Sequence, residues 1–405
     1  MSEFSIGIFN EVEHTSHLNN YTFMNKDTEL FDIEMDKGQA ESIFNFRKEN
    51  IHLLPVAFLP KKNIGISRRD FNEWWSNRRI PASRVGIKEL LWRFRDSGWC
   101  NEKISGLDEL AEKCLGLSLS DQYWIRPSPD VAWNDVNYFT NDFSRDIGNL
   151  LISGEWRGGN LSSPDNTSDG VIPKKWEIVD NKRHLMKGSY SSIGIPQPQP
   201  FREVFASRIA SLLIEPFDMQ SFVTPYSLHH IGDRVYSLCP NFVITDTEYV
   251  SFNQIHNTYK KPNHISPYDF CRYFYKKYEF VFDLTFILDY IVLNEDRHFG
   301  NFGMIRCVST GDFLHPAPIF DTGSSLFYDS NSLNVRHLKS KPFTDDFNKQ
   351  IEMTNFSKYQ QSLKLAASLY QDIFYEVFED CYESKERLNS ICKIIGRQIQ
   401  NIICA

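Results

Sequence analysis

Asn294-Glu295-Asp296-Arg297-His298-Phe299-Gly300-Asn301, with Pro318-Ile319-Phe320-Asp321-Thr322-Gly323 downstream, is the most informative stretch of the chain. A helix-like apolar run, Tyr278 to Leu293, leads into it. Asp296 precedes Asn301 by five positions, and Asp321 follows Asn301 by twenty. Phosphoryl transfer from a nucleotide needs such a set. One carboxylate orients or accepts the proton of the attacking hydroxyl, while an amide oxygen and a second carboxylate hold Mg²⁺ against the phosphates. The metal is hard, so oxygen ligands suit it and the chain's cysteines do not. Taken singly, D-x-x-x-x-N is a common spacing and Asp-Thr-Gly reads as a turn. In order, after an apolar helix, they make one pattern. His298, inside the loop, reads as a residue that hydrogen-bonds backbone and holds the loop's shape, with ligand or base as the other reading.

In protein kinases the D-x-x-x-x-N spacing belongs to the catalytic loop and a D-F-G Asp lies downstream; Asp321-Thr322-Gly323 stands in that place here. Such chemistry also needs a cation over the phosphates. Trp176 to Val179 and His184 to Lys187, joined by Asp180-Asn181-Lys182, read as a hairpin that ends on Lys187. The following segment, Phe201 to Ile214, reads as a helix closed by Pro216, and Glu203 near its start is the carboxylate expected to pair with Lys187. The bland reading makes Lys187 a solvated strand end and Glu203 a first-turn charge well placed for the helix dipole. Lys174 and Lys175 compete for the phosphate role. No G-x-G-x-x-G and no G-x-x-x-x-G-K-[ST] occurs, which excludes the ordinary P-loop NTPase. Ser162 to Gly170 (SSPDNTSDG) reads instead as a small, polar, flexible loop whose backbone N–H groups can cover phosphates.

The wider composition sets limits. The chain has 405 residues, a net charge of −8 and 58 aromatic residues (8 Trp, 18 Tyr, 32 Phe), which calls for large buried cores. Roughly 150 residues per domain implies two or three domains. The acidic balance argues against non-specific nucleic-acid binding. None of the 8 cysteines forms a C-x-x-C pair, so they read as reduced core thiols. The start, MSEFSIGIFNEVEH, shows no signal peptide. The apolar run Phe280 to Leu293 contains Asp283 and Asp289, and it is too short and too charged for a membrane span. Residues 1 to 50 read as short strands or a partly mobile edge. Ser105, with Asp108 three residues on, reads as the capping box of a helix stopped by Gly116. From about 266 onward the pattern is mostly helical. It ends in an apolar stripe, Leu388, Ile391, Ile395, Ile399 and Ile402, read as core packing.

N-x-D-x-H-x-x-N, here Asn294, Asp296, His298 and Asn301, followed by P-x-x-D at Pro318 to Asp321, resembles the HipA-like serine/threonine kinases of bacteria. Asp169-Gly170, Pro173-Lys174-Lys175-Trp176, Leu185-Met186-Lys187 and Glu203 resemble the family's order of ATP loop, lysine and helix. Ile80 to Arg84 and Ser118 to Trp124 look like the N-terminal part of a longer subgroup. The resemblance spans roughly residues 80 to 330; residues 1 to 60 match nothing in it.

The resemblance implies an α+β, two-lobed protein-kinase-like fold with a strand-containing small lobe, a helical large lobe and an added N-terminal domain. The expected divisions are 1–145, 146–245 and 246–405. It implies Asp296 as the catalytic carboxylate, Asn301 and Asp321 as Mg²⁺ ligands and Lys187, paired with Glu203, on the phosphates of ATP. Thr167, Ser168, Gly170 and Lys174 would line the nucleotide, and Ser162, Ser163, Thr167 and Ser168 are the candidate autophosphorylation sites. A protein substrate, a bacterial cytoplasmic location and no membrane or direct nucleic-acid binding follow from the same resemblance. Many members are toxins paired with a DNA-binding antitoxin, and since no helix-turn-helix is evident here, that partner would be a separate protein. Two alternatives keep the fold: a phosphoinositide-type lipid kinase, which shares D-R-x-x-x-N, and a non-catalytic kinase-fold binding module. The charge of −8 and the lack of a basic cluster weigh against the first.

Overall fold

In the N-terminal region, Leu30, Phe31, Ile33 and Met35 are buried while Asp32, Glu34 and Asp36 between and beyond them are not, the period of a strand with one face on a core. This computed structural model describes residues 18–61, 65–84, 86–95, 104–155, 160–189, 191–192, 195–196, 198–259 and 261–404. The expectation for residues 1 to 17 thus lies outside the described residues. Strands β1 (Asn19–Asn25), β2 (Thr28–Asp36) and β3 (Gln39–Phe44) are followed by helices α1 (Arg68–Arg78), α2 (Ile87–Arg95) and α3 (Leu107–Lys113). Strand β4 (Tyr123–Arg126) and a short α4 (Trp133–Val136) complete the region. The sheet runs β3-β2-β1-β4; Phe23 and Phe31 of its buried face stack on each other, and Phe71, itself stacked on Trp75, meets Phe23 edge-on. The expected Ser105 capping box is corrected. Gly106 caps α3 without a side-chain bond, and Ser105 instead donates to Glu109 through both its N–H (2.7 Å) and its hydroxyl (2.6 Å).

Helix α5 (Asp146–Ser153) comes next. The expected hairpin follows as β5 (Lys174–Val179) and β6 (Lys182–Lys187). Asp180 and Asn181 turn it with φ of 49° and 59°, the left-handed pair that matches strand twist. A two-residue ribbon, β7 (Ser191–Ser192) with β8 (Ile195–Pro196), leads to α6 (Gln199–Ile214), which ends in a 3₁₀ turn at Glu215–Phe217. Strands β9 (Ser227–Ile231) and β10 (Arg234–Pro240) complete a sheet of order β5-β6-β10-β9.

The rest of the described chain contains β11 (Thr247–Ser251), α7 (Phe252–Thr258), α8 (Pro267–Phe274), α9 (Glu279–Val292), β12 (Gly303–Cys307), β13 (Phe313–Pro316), α10 (Phe347–Ile351), α11 (Gln360–Val377) and α12 (Lys385–Cys404). The mostly helical expectation missed the β12–β13 hairpin. That hairpin decides the site, because it carries the chain from the loop after α9 out and back to Pro318–Gly323. It is pinned where Gly303 pairs with Ser251 of β11: a Cβ there would lie 2.2 Å from the neighbouring Val250 carbonyl oxygen. The α12 stripe Leu388, Ile391, Ile395, Ile399 and Ile402 is buried in the core, as its spacing implied. No disulfide links Cys114, Cys239, Cys271, Cys307, Cys381, Cys392 or Cys404, and among the described residues no helix is long and apolar enough to cross a membrane.

Candidate active site

Lys187 closes β6 between Lys174 of β5 and Ser237 of β10. Its ammonium is buried and joins two carboxylates, Glu203 of α6 and Asp321, the latter at 2.5 Å. The second oxygen of Glu203 accepts from the Ser237 hydroxyl at 2.7 Å, so the carboxylate is held from both sides. The ring of Tyr226 lies 5.6 Å beneath the ammonium, and its hydroxyl accepts from the Asp321 N–H at 3.4 Å. Burial pulls the Lys187 pKa down, but Asp321 and Glu203 outweigh it and hold the group above the ordinary lysine value. Burial likewise works against the Asp321 carboxylate, yet Lys187, Lys174 and Arg297 keep it well below the usual carboxylate range. Asp321 sits at φ 57°, in the left-handed region that Asp enters more readily than most non-glycine residues.

The loop after α9 is built on one buried guanidinium. Arg297 is fully buried and donates to both oxygens of Asp289, at 2.9 and 3.1 Å, and Asn294 adds a third bond to that carboxylate at 2.9 Å. The same guanidinium donates to the carbonyls of Asn301 (2.7 Å) and Phe320 (2.8 Å). It therefore ties the Asp296–Asn301 loop to the residue before Asp321. Asp296 accepts at its carbonyl from His298 N–H (2.9 Å) and Asn301 Nδ2 (3.0 Å). Its carboxylate is about half exposed and meets Lys341 Nζ at 3.0 Å. His298 Nδ1 accepts from Gly300 N–H at 2.9 Å, a bond that shapes the loop. Asn301 is buried, and its Oδ1 accepts no hydrogen bond among the described residues.

The segment 162–170 differs from the flexible loop expected. Pro164–Thr167 forms a 3₁₀ turn with Ser163 as its cap. Asp165 is sealed inside, accepting from the Trp176 N–H at 2.8 Å and the Ser163 hydroxyl at 2.9 Å; burial pushes it up to about 6. Thr167 donates to the Leu117 carbonyl at 2.8 Å. Buried Arg84 reaches Ser168 Oγ at 2.6 Å and the Gly170 carbonyl at 2.9 Å. The small polar residues thus satisfy one another and the backbone instead of water, which gives the segment its order. Ser163, Thr167 and Ser168 are consequently buried, and of the four hydroxyl candidates Ser162 alone is exposed. Gly170 (φ 92°) leaves room for Lys174: a Cβ there would lie 2.5 Å from its ammonium. Burial, with Arg84 and Lys187 nearby, lowers Lys174 to about 8. Lys175 is taken by Asn149 (2.9 Å) and Glu177, so of the two competing lysines only Lys174 faces Asp321 and Lys187.

The structure brings together Lys187, Glu203, Asp321 and, through Arg297, the loop that bears Asp296, His298 and Asn301. Gly170 and Lys174 border this group, while Thr167 and Ser168 lie within the turn behind them. Sequence reading did not find Arg84, Ser237, Tyr226, Arg297 or Lys341. For Arg297 a signal existed: Asp289, flanked on both sides by apolar residues of α9, requires a buried partner.

No family model and no curated protein sequence matches the chain. Among solved structures, HipA of the Shewanella oneidensis MR-1 toxin–antitoxin system, determined with HipB and operator DNA, superposes with a TM-score of 0.55. That match covers 95% of this chain and 96% of the other at 12% identity. The proinflammatory kinase CtkA of Helicobacter pylori matches with a TM-score of 0.42 and 17% identity, over 58% of this chain and 91% of its own. The chain therefore has a HipA-like, two-lobed kinase fold along nearly its whole length.

Proposed function

We propose that the chain is an ATP- and Mg²⁺-dependent protein serine/threonine kinase, with the nucleotide between a small lobe of about residues 146–245 and a large lobe of 246–405, and with 1–145 as an added domain. One observation carries this reading: a single buried ammonium, Lys187, bridges Glu203 and Asp321 while Arg297 ties the Asp296 loop to the residue before Asp321. Glu203 and Ser237 hold Lys187 so that it meets nucleotide phosphates. Lys174 approaches them from the Gly170 side. Asp296, half exposed, orients the acceptor hydroxyl and takes its proton.

The donor set fits magnesium. Asp321 and the uncommitted Oδ1 of Asn301 are hard oxygens, and no cluster of three or more His, Cys, Asp or Glu suited to a metal occurs among the described residues. Two protein oxygens, completed by phosphate and water, suit Mg²⁺ rather than a dedicated protein cage. The ion, when bound, neutralises charge on the phosphate oxygens.

By likeness to HipA, which was solved with HipB and operator DNA, we extend the proposal to a cytoplasmic bacterial toxin with a DNA-binding antitoxin as partner. Autophosphorylation then falls first on exposed Ser162, with Ser163, Thr167 and Ser168 reached only when their turn opens.

Labelled ATP with Mg²⁺, presented side by side to casein, to the chain itself and to phosphoinositide vesicles, tests the reading. Label on seryl or threonyl residues is expected, reduced about 10²–10⁴-fold by Asp296→Asn and by Asp321→Asn with the fold intact. Label in lipid alone, no transfer at all, or wild-type rates in either variant would overturn it.

A further inference from the structure

Phosphoryl transfer places negative charge beside the accepting carboxylate, and a cation aimed at that charge in a site where it need not reorganise lowers the barrier. The motif loop offers no free lysine or arginine, and His298 spends its Nδ1 on the Gly300 N–H. Arg297 is sealed against Asp289 and two carbonyls, and Phe299 and Gly300 follow His298. Lys187 and Lys174 stand on the small-lobe side. Among the described residues, Lys341 is the one cation within 4 Å of Asp296, its Nζ 3.0 Å from Oδ1, and it comes from a segment 45 residues further along the chain.

That approach is held by a set of hydrogen bonds anchored on two buried residues, Ser340 and Gln350. The Lys339 N–H donates to Glu295 at 3.0 Å, beside Asp296. Ser340 is buried, and its N–H donates to the Asp345 carbonyl at 3.2 Å. Gln350 of α10, also buried, donates to the Lys341 carbonyl at 2.5 Å and accepts from the Phe343 N–H at 3.3 Å. An exposed ion pair adds little stability and needs no such scaffold. The ammonium itself remains about half exposed, free to meet a second anion.

We propose that Lys341 is a catalytic residue, resting on the kinase reading above: its ammonium spans Asp296 and the oxygens of the phosphoryl group in flight. In the step it serves, the acceptor oxygen forms a bond to the γ-phosphorus as the bond from that phosphorus to the β–γ bridging oxygen breaks. ADP leaves with the electron pair, and the hydroxyl proton passes to Asp296 and then to solvent. Lys341 is not consumed; it offsets charge on the transferred group and keeps Asp296 turned toward the acceptor.

Lys341→Ala, Lys341→Arg and Asp296→Asn, compared with the whole wild-type chain, test this. At saturating ATP and Mg²⁺, Lys341→Ala should lower kcat about 10²-fold. Affinity for a fluorescent ATP analogue and the thermal midpoint should stay at wild-type values, and Lys341→Arg should recover most of the rate by restoring the charge. Wild-type rate in Lys341→Ala overturns the proposal. So does a faster rate, which would make the pair a plug on Asp296. Loss of fold or nucleotide affinity in step with the rate also overturns it, since that marks a structural role. If wild type transfers no phosphate to any acceptor, the kinase reading falls and takes this inference with it; if wild type transfers and only Lys341→Ala matches it, the kinase reading stands alone.

Discussion

Lys174 shows how one side chain's surroundings set its charge. Its ammonium lies against Gly170 and faces Arg84 and Lys187, and burial together with those two cations brings it down to about 8. Below that pH it is a cation; above it the charge is lost. If it meets nucleotide phosphates, binding draws a proton onto it, so affinity for ATP falls as pH rises through about 8. We expect a loss of about tenfold per pH unit over that rise, since one unit of pKa corresponds to about 1.4 kcal/mol. Equilibrium binding of an ATP analogue from pH 7 to 9 measures it, with Lys174→Gln as the reference that should show no such slope. Parallel profiles in the two proteins would remove Lys174 from the phosphate site.

At the scale of elements, α9, the loop after it and the Phe320–Asp321 segment act as one unit because Arg297 bonds Asp289, the Asn301 carbonyl and the Phe320 carbonyl. Removing one partner of a buried pair leaves the other charge without compensation, at a cost of about 3–5 kcal/mol. Asp289→Ala should lose that much in urea denaturation, and a loss under about 1 kcal/mol would mean the loop is held by other contacts. The same unit shows what the sequence could disclose. Asp296, Asn301 and Asp321 were legible because their motif is local, and Lys187 and Glu203 because a hairpin running into a helix has a readable order. Arg84, which binds Ser168 across 84 residues, and Lys341, which reaches Asp296 across 45, were not, since no local pattern encodes a long-range contact. The polar segment 162–170 misled for a related reason. Its composition matches a solvated loop, and only the tertiary partners of Asp165, Thr167 and Ser168 make it a buried turn.

At the scale of the molecule, the N-terminal sheet is sewn onto the large lobe rather than tethered to it. Arg306 of β12 donates to the Leu54 carbonyl (3.0 Å), the Tyr123 hydroxyl (3.2 Å) and Glu248 of β11 (2.7 Å). Gln122 bonds the Thr247 carbonyl at 3.1 Å, and Lys26 pairs with Asp246 at 2.7 Å. Burial drives Glu248 up to about 7, against the pull of Arg306. A folded pKa above the unfolded one means the native state holds its proton more tightly. The stability this contributes is complete below the unfolded value, about 4.3 for a glutamate, and is lost as pH rises through about 7. Glu248→Gln mimics the protonated acid at every pH. The variant should therefore match wild type below about pH 4 and become progressively more stable than wild type as pH rises to 8, read from urea midpoints across that range. If wild type instead gains on the variant as pH rises, the ionised Glu248–Arg306 pair is the form that joins the sheet to the lobe, and burial is the weaker force at this seam.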